Sequence, residues 1–490
     1  MHDADSILTQ HTFPENWQNP EGGNYDLVCL GGGPAGLMAA VVAVTLGGKV
    51  AIIERRGLGG DCLHHGCIPS KALIVTARRH FQCHAASDLR HDRSTVDCDS
   101  AFDEVRTTRA EFGRHDSAAR LSRKGIDVFL GSGRFIDRRS LKVGDRRLFF
   151  RRCIIATGSE PACPSIPGLT QVPFHTSRTV FSLPQIPSGI LVVGGGPVGC
   201  ELAQAFRRLG SQVWLITRGP LLPREDATVS AVIASRFDAE GIDVFTNSEI
   251  LRVSREGDQT RLEIRTAQLQ RTLKAEALLV ATGRSRSLDD LRLNCAGVGH
   301  SAQGIQVNDR LQTANPRIYA AGDCIGQQAH THAADAMARI CVQNAFFWGR
   351  KRLSQLVIPR TTFTDPEVAH VGLTRRTARQ RGITADHFRE DFQRIDRSVL
   401  EREQTGFAEI HCRHKTGHIL GASIVGPRAG ELIGVIALMI SNRIPLRGLA
   451  KTIQCYPTHS GILKALADRY TRSRLTPARE RLLRFLIQRS

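Results

Sequence analysis

One supersecondary pattern occurs twice in this chain of 490 residues, and it restricts the fold more than any other feature. Each copy has a short apolar segment, a glycine-rich turn, an apolar helical pattern and a second apolar segment. The first copy covers residues 25–30, 31–36 (GGGPAG), 37–45 and 49–53, and the second covers 190–193, 194–199 (GGGPVG), 200–209 and 212–216. Strand, glycine turn, helix and strand in this order form the βαβ unit of a parallel sheet. The sequence therefore predicts an α/β protein with two Rossmann-like dinucleotide-binding domains.

The glycines of the two turns indicate what each unit binds. Small residues let the backbone approach a pyrophosphate, and the N-terminus of the following helix favours its negative charge. Glu54 ends the second strand of the first copy, where a carboxylate can accept hydrogen bonds from the adenosine ribose hydroxyls. The candidate nucleotide-binding positions are Gly31, Gly33 and Gly36 in the first copy and Gly194, Gly196 and Gly199 in the second.

The second copy differs from the first at the position of that carboxylate. Thr217 stands where an NAD-binding unit carries an acid, and Arg218 follows it. Loss of the carboxylate removes its repulsion of a 2′-phosphate, and an arginine can pair with that phosphate. This favours NADPH over NADH, whereas the alternative is that Arg218 faces solvent and the selectivity is loose.

Two cysteines, Cys62 and Cys67, lie shortly after the first unit in residues 59–71, GGDCLHHGCIPSK. A disulfide needs Cα atoms about 4.4–6.8 Å apart, and the three glycines of this segment allow the loosened turn that such a bond requires. A thiolate near a helix N-terminus is also stabilised and reactive. From spacing alone, the pair could equally be two unrelated reduced thiols or half of a metal site, although no second pair with zinc-site spacing is evident.

The run G-G-x-C-x-x-x-x-G-C-I-P-S-K closely resembles the redox-active segment of the pyridine nucleotide–disulfide oxidoreductases, which include glutathione reductase, dihydrolipoyl dehydrogenase and mercuric reductase. The resemblance covers residues 25–475. It implies that Cys62 and Cys67 form a redox-active disulfide, with Cys67 next to the flavin and Cys62 as the thiol that meets the substrate. It also implies FAD in the first dinucleotide unit and the nicotinamide nucleotide in the second, where Thr217 and Arg218 favour NADPH over NADH.

The resemblance extends to further cofactor contacts. Lys71 would lie by the flavin N5 and pair with Glu201, and a fixed cation there stabilises the electron-rich reduced ring. Residues 318–323 (IYAAGD) resemble the second flavin contact of the family, in which Asp323 would bind the ribityl chain. Two A-T-G segments, 154–158 and 279–283, resemble the strand ends that join the nucleotide domains, and they contribute Thr157, Gly158 and Gly283.

The same resemblance implies a domain order and a partner. The expected segments are an N-terminal extension (1–24), a first FAD part (25–175), an NAD(P) domain (176–290), a second FAD part (291–355), a dimerisation domain (356–470) and a basic tail (471–490). The C-terminal domain is expected to be α+β, with a strand at 419–426 and an apolar helix at 431–440. It implies a homodimer in which this domain completes the active site of the other subunit.

The chain departs from the disulfide reductases near its C-terminus. These enzymes carry His-Pro-Thr-x-x-Glu, in which the glutamate orients the histidine for proton transfer. Tyr456 replaces that histidine and Gly461 replaces the glutamate. His459 lies three positions late, so we expect its ring to point elsewhere. This departure argues against glutathione reductase and dihydrolipoyl dehydrogenase activity.

Several features instead resemble the mercuric reductase branch. They are Tyr456, Asp61 before the first cysteine, and residues 201–206 (ELAQAF) in the second dinucleotide unit. The N-terminal C-x-x-C domain and the C-terminal cysteine pair of mercuric reductase are absent from this sequence. Cys455 is a candidate second soft ligand for a thiophilic ion or a resolving thiol, and its alternative is a small packed side chain.

Composition sets the remaining expectations. The formal charge of +19 is spread along the chain without a nucleic-acid-binding motif, and we expect no nucleic-acid partner and no permanently bound metal. The thirteen cysteines lack a secreted pattern, and neither a signal peptide nor a membrane-spanning run is visible, so a cytoplasmic location is expected. The basic tail is expected to be an ordinary terminal helix, and a membrane-surface helix is its alternative.

Together these observations predict an FAD-dependent NAD(P)H oxidoreductase that delivers electrons to a thiophilic metal ion or a small disulfide. A dihydrolipoyl dehydrogenase is one alternative. A flavin-binding protein that works through interaction, with its basic surface as the working face, is the alternative from another class.

Overall fold

A computed structural model describes residues 3–87, 100–267, 269–327 and 329–489, without the side chains of 84–87. Met1, His2 and Ser490, the outermost residues of the predicted N-terminal extension and basic tail, lie outside the described residues. The chain divides into two compact units. The first unit comprises Met1–Arg218 and Phe245–Leu356, and the second comprises Gly219–Val244 and Val357–Ser490.

The first glycine turn follows the central strand of a seven-stranded sheet in the first unit. This strand, Gly23–Leu30, pairs in parallel with Val50–Glu54 on one side and with Arg146–Ile155 on the other. Residues 27–30 are buried, as expected for a parallel sheet covered on both faces. The remaining strands of the sheet are Ile126–Leu130, Gly133–Asp137, Ser140–Val143 and Ile318–Ala320.

The second glycine turn follows Gly189–Val193, which pairs in parallel with Gln212–Ile216 and Ala277–Val280. A three-stranded antiparallel sheet shares the core of this region. Its strands are Glu249–Glu256, Gln259–Arg265 and Gln270–Ala275. Two short strand pairs complete the sheets of the first unit, namely Glu160–Pro161 with Arg284–Ser285 and His300–Ser301 with Gly304–Ile305. These parallel units confirm the predicted fold class.

The helices that leave the two glycine turns are Pro34–Thr45 and Pro197–Arg208. Proline is well tolerated in a first helical turn, because its missing N–H would be unpaired there anyway. This explains why the second helix begins three residues before the predicted start. The other α-helices of the first unit are Asp3–Thr12, Gly60–His64, Cys67–Ser87, Ala101–Gly113, Ala118–Arg123 and Thr331–Phe346. Its 3₁₀ turns are Leu169–Gln171, Val180–Ser182, Asp289–Leu291, Leu293–Ala296, Gly322–Ile325 and Leu353–Gln355.

The N-terminal extension contains a helix that the sequence interpretation did not include. In Asp3–Thr12, Leu8 is buried and packs in a small apolar cluster with Leu63 and Ala110. Leu63 lies on the short helix that carries Cys62. The extension is therefore part of the first unit, and it packs directly against the cysteine-bearing segment.

An arginine joins the same three elements by polar contacts. The side chain of Arg109 is almost fully buried, and its Nη2 donates to Asp5 Oδ1 at 2.7 Å. Its Nη1 donates to the carbonyl oxygen of His64 at 3.1 Å. A buried guanidinium needs such partners, because removing a single one leaves a charge without compensation.

The second unit is built on a five-stranded antiparallel sheet. Its strands in spatial order are Arg360–Thr362, Glu367–Gly372, Ile419–Gly426, Phe407–Arg413 and Ala385–Asp391. The predicted strand at 419–426 is confirmed, and the predicted helix at 431–440 is observed as Ala429–Ser441. The other helices are Ala227–Ala239, Arg375–Gln380, Asp396–Leu400, Arg447–Ala450, Gly461–Ser473 and Pro477–Arg489, with a 3₁₀ turn at Phe392–Arg394. The strand Asp243–Phe245 crosses the boundary between the two units.

The basic tail forms the helix Pro477–Arg489, and none of its residues is buried. It is thus helical, but it does not pack as an ordinary terminal helix does. Within the part of the chain that the structure describes, no helix has both the length and the apolar character required to cross a membrane.

Truncation of Leu8 tests whether the N-terminal helix stabilises the first unit. Leu8→Ala should cost about 2–5 kcal/mol, as is typical for a buried leucine, and should lower the urea midpoint of the transition that reports this unit. Leu46→Ala is the matched control, because Leu46 is 59 % exposed; its effect should stay within about 0.5 kcal/mol. Equal midpoints for the two variants would show that the N-terminal helix contributes no stability.

Candidate functional site

The two cysteines lie at a break between two helices. Cys62 is inside Gly60–His64, and Cys67 begins Cys67–Ser87. Gly59 and Gly60 have φ angles of 90° and 58°, which glycine adopts without strain. The expected loosened turn is therefore present, and it brings the two thiols into hydrogen-bond contact. No disulfide joins the two cysteines in this structure.

The pair is electrostatically asymmetric. The hydrogen bond from Cys62 lowers the pKa of Cys67 to about 6. Burial of Cys67 opposes this shift, whereas a hydrogen bond with Thr331 and the charge of Lys71 reinforce it. The Cys67 Sγ atom lies 3.2 Å from Thr331 Oγ1. The same contact with Cys67, reinforced by burial, raises the pKa of Cys62 well above the ordinary thiol range. At neutral pH the reduced pair is one thiolate, on Cys67, and one thiol, on Cys62.

An ion pair connects this segment to the second dinucleotide unit. Lys71 Nζ lies 2.8 Å from Glu201 Oε2, as the family resemblance implied. Glu201 is on the helix that leaves the second glycine turn, and its side chain is only 5 % exposed. Because a buried carboxylate is costly without a partner, Lys71 both compensates Glu201 and contributes positive potential at Cys67.

The first glycine turn has no room for side chains at its close contacts. A Cβ atom on Gly36 would lie 1.8 Å from the Gly31 carbonyl oxygen, whereas one on Gly33 would meet only the Gly60 Cα at 3.8 Å. Glu54 accepts hydrogen bonds from the backbone N–H groups of Gly32 and Arg56 at 2.6 and 2.7 Å. The turn is thus tight where the helix meets the strand and open at Gly33, which fits a backbone that cradles a pyrophosphate.

The second glycine turn repeats this geometry. A Cβ atom on Gly199 would lie 1.8 Å from the Gly194 carbonyl oxygen, and one on Gly196 would meet nothing within 4 Å. A Cβ atom on Gly195 would meet Thr217 Oγ1 at 2.9 Å, just as one on Gly32 would meet the Glu54 side chain. Thr217 therefore takes the place of the acid. The next residue, Arg218, is exposed.

Unpaired buried polar atoms surround these turns. Among the described residues, the hydroxyls of Thr157 and Thr282 and one carboxylate oxygen of Asp61 are buried without a hydrogen-bond partner. Both threonines belong to the A-T-G segments that follow parallel strands. Such groups are costly when they stay unpaired, so they fit sites that a polar ligand completes. Together with the open glycines, they show that the residues present suit two dinucleotides.

Asp323 belongs to a polar network that the sequence interpretation missed. Its Oδ2 accepts from Ser159 Oγ at 2.7 Å, and Arg284 Nε donates to the same hydroxyl at 2.6 Å. Arg284 Nη2 also donates to Asp61 Oδ2 at 2.8 Å. The one available signal was the position of Arg284 directly after Gly283. The network links the predicted flavin contact to the residue that precedes Cys62.

The C-terminal candidates lie in the second unit. Tyr456 is 80 % exposed, and its hydroxyl donates to Asp396 Oδ2 at 2.9 Å, which raises the pKa of the phenol. Cys455 is exposed. The ring of His459 points into the unit, where its nitrogens contact Ser398 Oγ at 3.1 Å and Glu401 Oε2 at 2.9 Å. We expected this ring to point away from the place of the family's catalytic histidine, and its burial inside the unit agrees with that expectation.

Two dinucleotide folds, a thiol pair and an ion pair between Lys71 and the buried Glu201 define a flavoprotein oxidoreductase of the two-nucleotide class. The sequence profile of pyridine nucleotide-disulphide oxidoreductases matches residues 25–338, and that of their dimerisation domain matches 358–467. The chain belongs to this family. It is an NAD(P)H-dependent enzyme whose cofactors are FAD and a nicotinamide nucleotide.

Individual relatives support the mercuric-reductase-like branch. The chain is 35 % identical over 468 residues to a mercuric reductase of Acidithiobacillus ferrooxidans, covering 92 % of this chain and 84 % of the relative. It is 33 % identical to a dihydrolipoyl dehydrogenase of Bacillus subtilis, covering 89 % and 96 %. The HOCl-induced flavoprotein disulfide reductase RclA of Escherichia coli, at 27 % identity, has a similar structure with a TM-score of 0.82, covering 91 % and 99 %.

The asymmetry of the thiols predicts a pH dependence. In the reduced protein, alkylation of the Cys67 peptide by iodoacetamide should rise with pH through a midpoint near 6, because only the thiolate reacts. Cys62→Ala removes the hydrogen-bond donor and should move the midpoint toward the ordinary thiol value of about 8.5. Mass spectrometry of the peptide separates Cys67 from the other cysteines, and Cys163→Ala is the control. A wild-type midpoint above 8 would contradict the assignment.

The glycine contacts predict separable losses of the two nucleotides. Gly36→Ala should release FAD on gel filtration, whereas Gly199→Ala should retain FAD and raise KM for NADPH by about tenfold or more, since overpacking costs about 1–3 kcal/mol. Gly434→Ala is the control, because its Cβ atom would meet nothing within 4 Å. If Gly36→Ala retains FAD as the control does, the first turn does not hold the flavin nucleotide.

Proposed function

We propose that Cys62 and Cys67 cycle between a disulfide and a thiol–thiolate pair, and that they pass electrons from NADPH to a thiophilic metal ion. The observation that carries the proposal is the asymmetric pair beside Lys71. The first glycine turn would hold FAD, which would supply the hydride acceptor for the nicotinamide and the electron-pair donor for the disulfide. The reduced pair then returns two electrons to the acceptor, and the disulfide re-forms.

The residues of this chain have distinct tasks in the proposal. Gly31, Gly33, Gly36 and Glu54 would hold the FAD nucleotide, and Asp323 would bind its ribityl chain through the polar network with Ser159. Gly194, Gly196, Gly199 and Gly283 would hold NADPH. The hydrogen bond from Cys62 would do most to keep Cys67 ionised, and the charge of Lys71, held in place by Glu201, would add to it. Thr157 and Gly158 would line the flavin at the end of their strand.

The chemistry of the C-terminal segment favours a metal ion over a disulfide as the acceptor. Reduction of a disulfide requires an acid–base group that protonates the leaving thiolate. Tyr456 has a raised pKa, and both ring nitrogens of His459 are already engaged. A soft metal ion needs thiolates and no such proton transfer. The names of the relatives agree, since several are mercuric reductases and two solved structures of RclA are Cu(II) complexes.

The proposed enzyme is a homodimer. The matched dimerisation domain supports this, as do large apolar side chains exposed in the second unit. They are Val435, Leu438, Ile444 and Ile453, the last of which is 98 % exposed. In the dimer, Cys455 and Tyr456 of one subunit would face the Cys62 side of the other, where Cys455 could act as an additional soft ligand.

Arg218 is proposed to select NADPH by pairing with its 2′-phosphate. One charge-assisted contact is worth roughly 1.5–3 kcal/mol, so Arg218→Ala should lower kcat/KM for NADPH about ten- to a hundredfold and leave NADH unaffected. Thr217→Glu restores the acid and should reverse the preference. Steady-state kinetics gives kcat/KM of each protein for NADPH and for NADH. Equal kcat/KM for the two nucleotides in the wild type would contradict the proposal.

An acceptor comparison tests the proposed function. The wild type should oxidise NADPH with Hg(II) in excess thiol faster than with oxidised glutathione or lipoamide. Cys455→Ser should lower only the Hg(II) rate, by about tenfold, and Tyr456→Phe, which keeps the ring, is its matched partner. Faster turnover of lipoamide than of Hg(II) would favour the dihydrolipoyl dehydrogenase alternative. Unchanged rates in Cys455→Ser would show that this thiol is only a packed side chain.

A further inference from the structure

Two histidines and a glutamate lie together on the sheet of the second unit. The strands Ala385–Asp391 and Phe407–Arg413 are antiparallel neighbours, and their register sets His387 directly opposite His411. Glu409 is two residues from His411, so it is on the same face of the strand. One nitrogen of each ring and one carboxylate oxygen lie within 4.8 Å of one another, and His387 Nδ1 is 4.0 Å from Glu409 Oε1.

One ring nitrogen of His411 is held by a backbone contact. Its Nε2 contacts the carbonyl oxygen of Leu373, which can only accept, so Nε2 donates and Nδ1 is the nitrogen left to face an ion. Metal-bound histidines typically donate their other ring N–H to a carbonyl in this way. His411 is 1 % exposed, and its Nδ1 is buried without a hydrogen-bond partner among the described residues. A buried acceptor that stays unpaired is costly, and a cation would satisfy it.

The surrounding charges restrict which cation can bind. Two arginines, Arg375 and Arg379, act electrostatically on the His387 ring. The arginines oppose any cation held by charge alone, which disfavours Mg²⁺ and Ca²⁺. Two imidazoles and one carboxylate instead suit a borderline ion such as Zn²⁺.

We propose that His387, Glu409 and His411 form a three-ligand site for one Zn²⁺-like divalent transition-metal ion. His387 is about one-third exposed, which leaves a fourth position open to water. The strand Ala385–Asp391 is at the edge of its sheet, so the ion would join this edge to the next strand. The site uses nitrogen and oxygen ligands, and it is therefore distinct from the thiol pair, where a soft ion would react. The proposal for this site does not depend on which acceptor the thiol pair reduces.

The test is Zn²⁺ titration of full-length protein carrying Cys62→Ser and Cys67→Ser, followed by calorimetry. The remaining cysteines are common to all variants, so differences between variants report the proposed site. Glu409→Gln conserves shape, and His387→Ala removes the accessible ring. His414→Ala is the matched control, because His414 is an exposed histidine on the same unit that contacts Asp386 at 2.7 Å. Thermal unfolding without metal verifies that each variant folds.

The parent and His414→Ala should bind one more Zn²⁺ per subunit than Glu409→Gln and His387→Ala, or bind it at least about tenfold more tightly. Zn²⁺ should also raise the thermal midpoint of the parent and of the control, but not of the two ligand variants. Binding that is equal in all four proteins would overturn the proposal. So would a loss in His414→Ala as large as the loss in His387→Ala.

Discussion

The contact between Lys71 and Glu201 is the interaction on which the candidate site most depends. It joins the helix that begins at Cys67 to the helix that leaves the second glycine turn, at a distance of 2.8 Å. Because Glu201 is buried, its carboxylate requires the Lys71 ammonium as a compensating charge. The same contact holds the ammonium near Cys67. One ion pair thereby couples the position of a dinucleotide turn to the ionisation of a thiol.

The parts of the fold that follow from local rules could be predicted from sequence. The close contact between Gly36 and the Gly31 carbonyl oxygen exists because a turn of this spacing leaves no room for a Cβ atom, and Gly199 repeats it. The strands before and after each turn were predicted to within two residues. The lysine–glutamate pair was also predicted, but only through resemblance to a family, since 130 residues separate its members.

The missed features depend on long-range contacts that carry no local pattern. Arg284 reaches Asp61 across the chain, and Arg109 connects Asp5 to His64. The polar composition of residues 1–24 concealed a helix whose apolar side is only a few residues wide. His387 and His411 become neighbours through strand register alone, which is not visible in one sequence.

The central claim is that the flavin and the Cys62–Cys67 pair form one redox unit. Anaerobic titration with dithionite measures its electron capacity per FAD directly. The oxidised wild type should take up twice as many electrons as the Cys67→Ser variant before the flavin is fully reduced, since the disulfide holds as many as the flavin. An equal capacity in the two proteins would contradict the account.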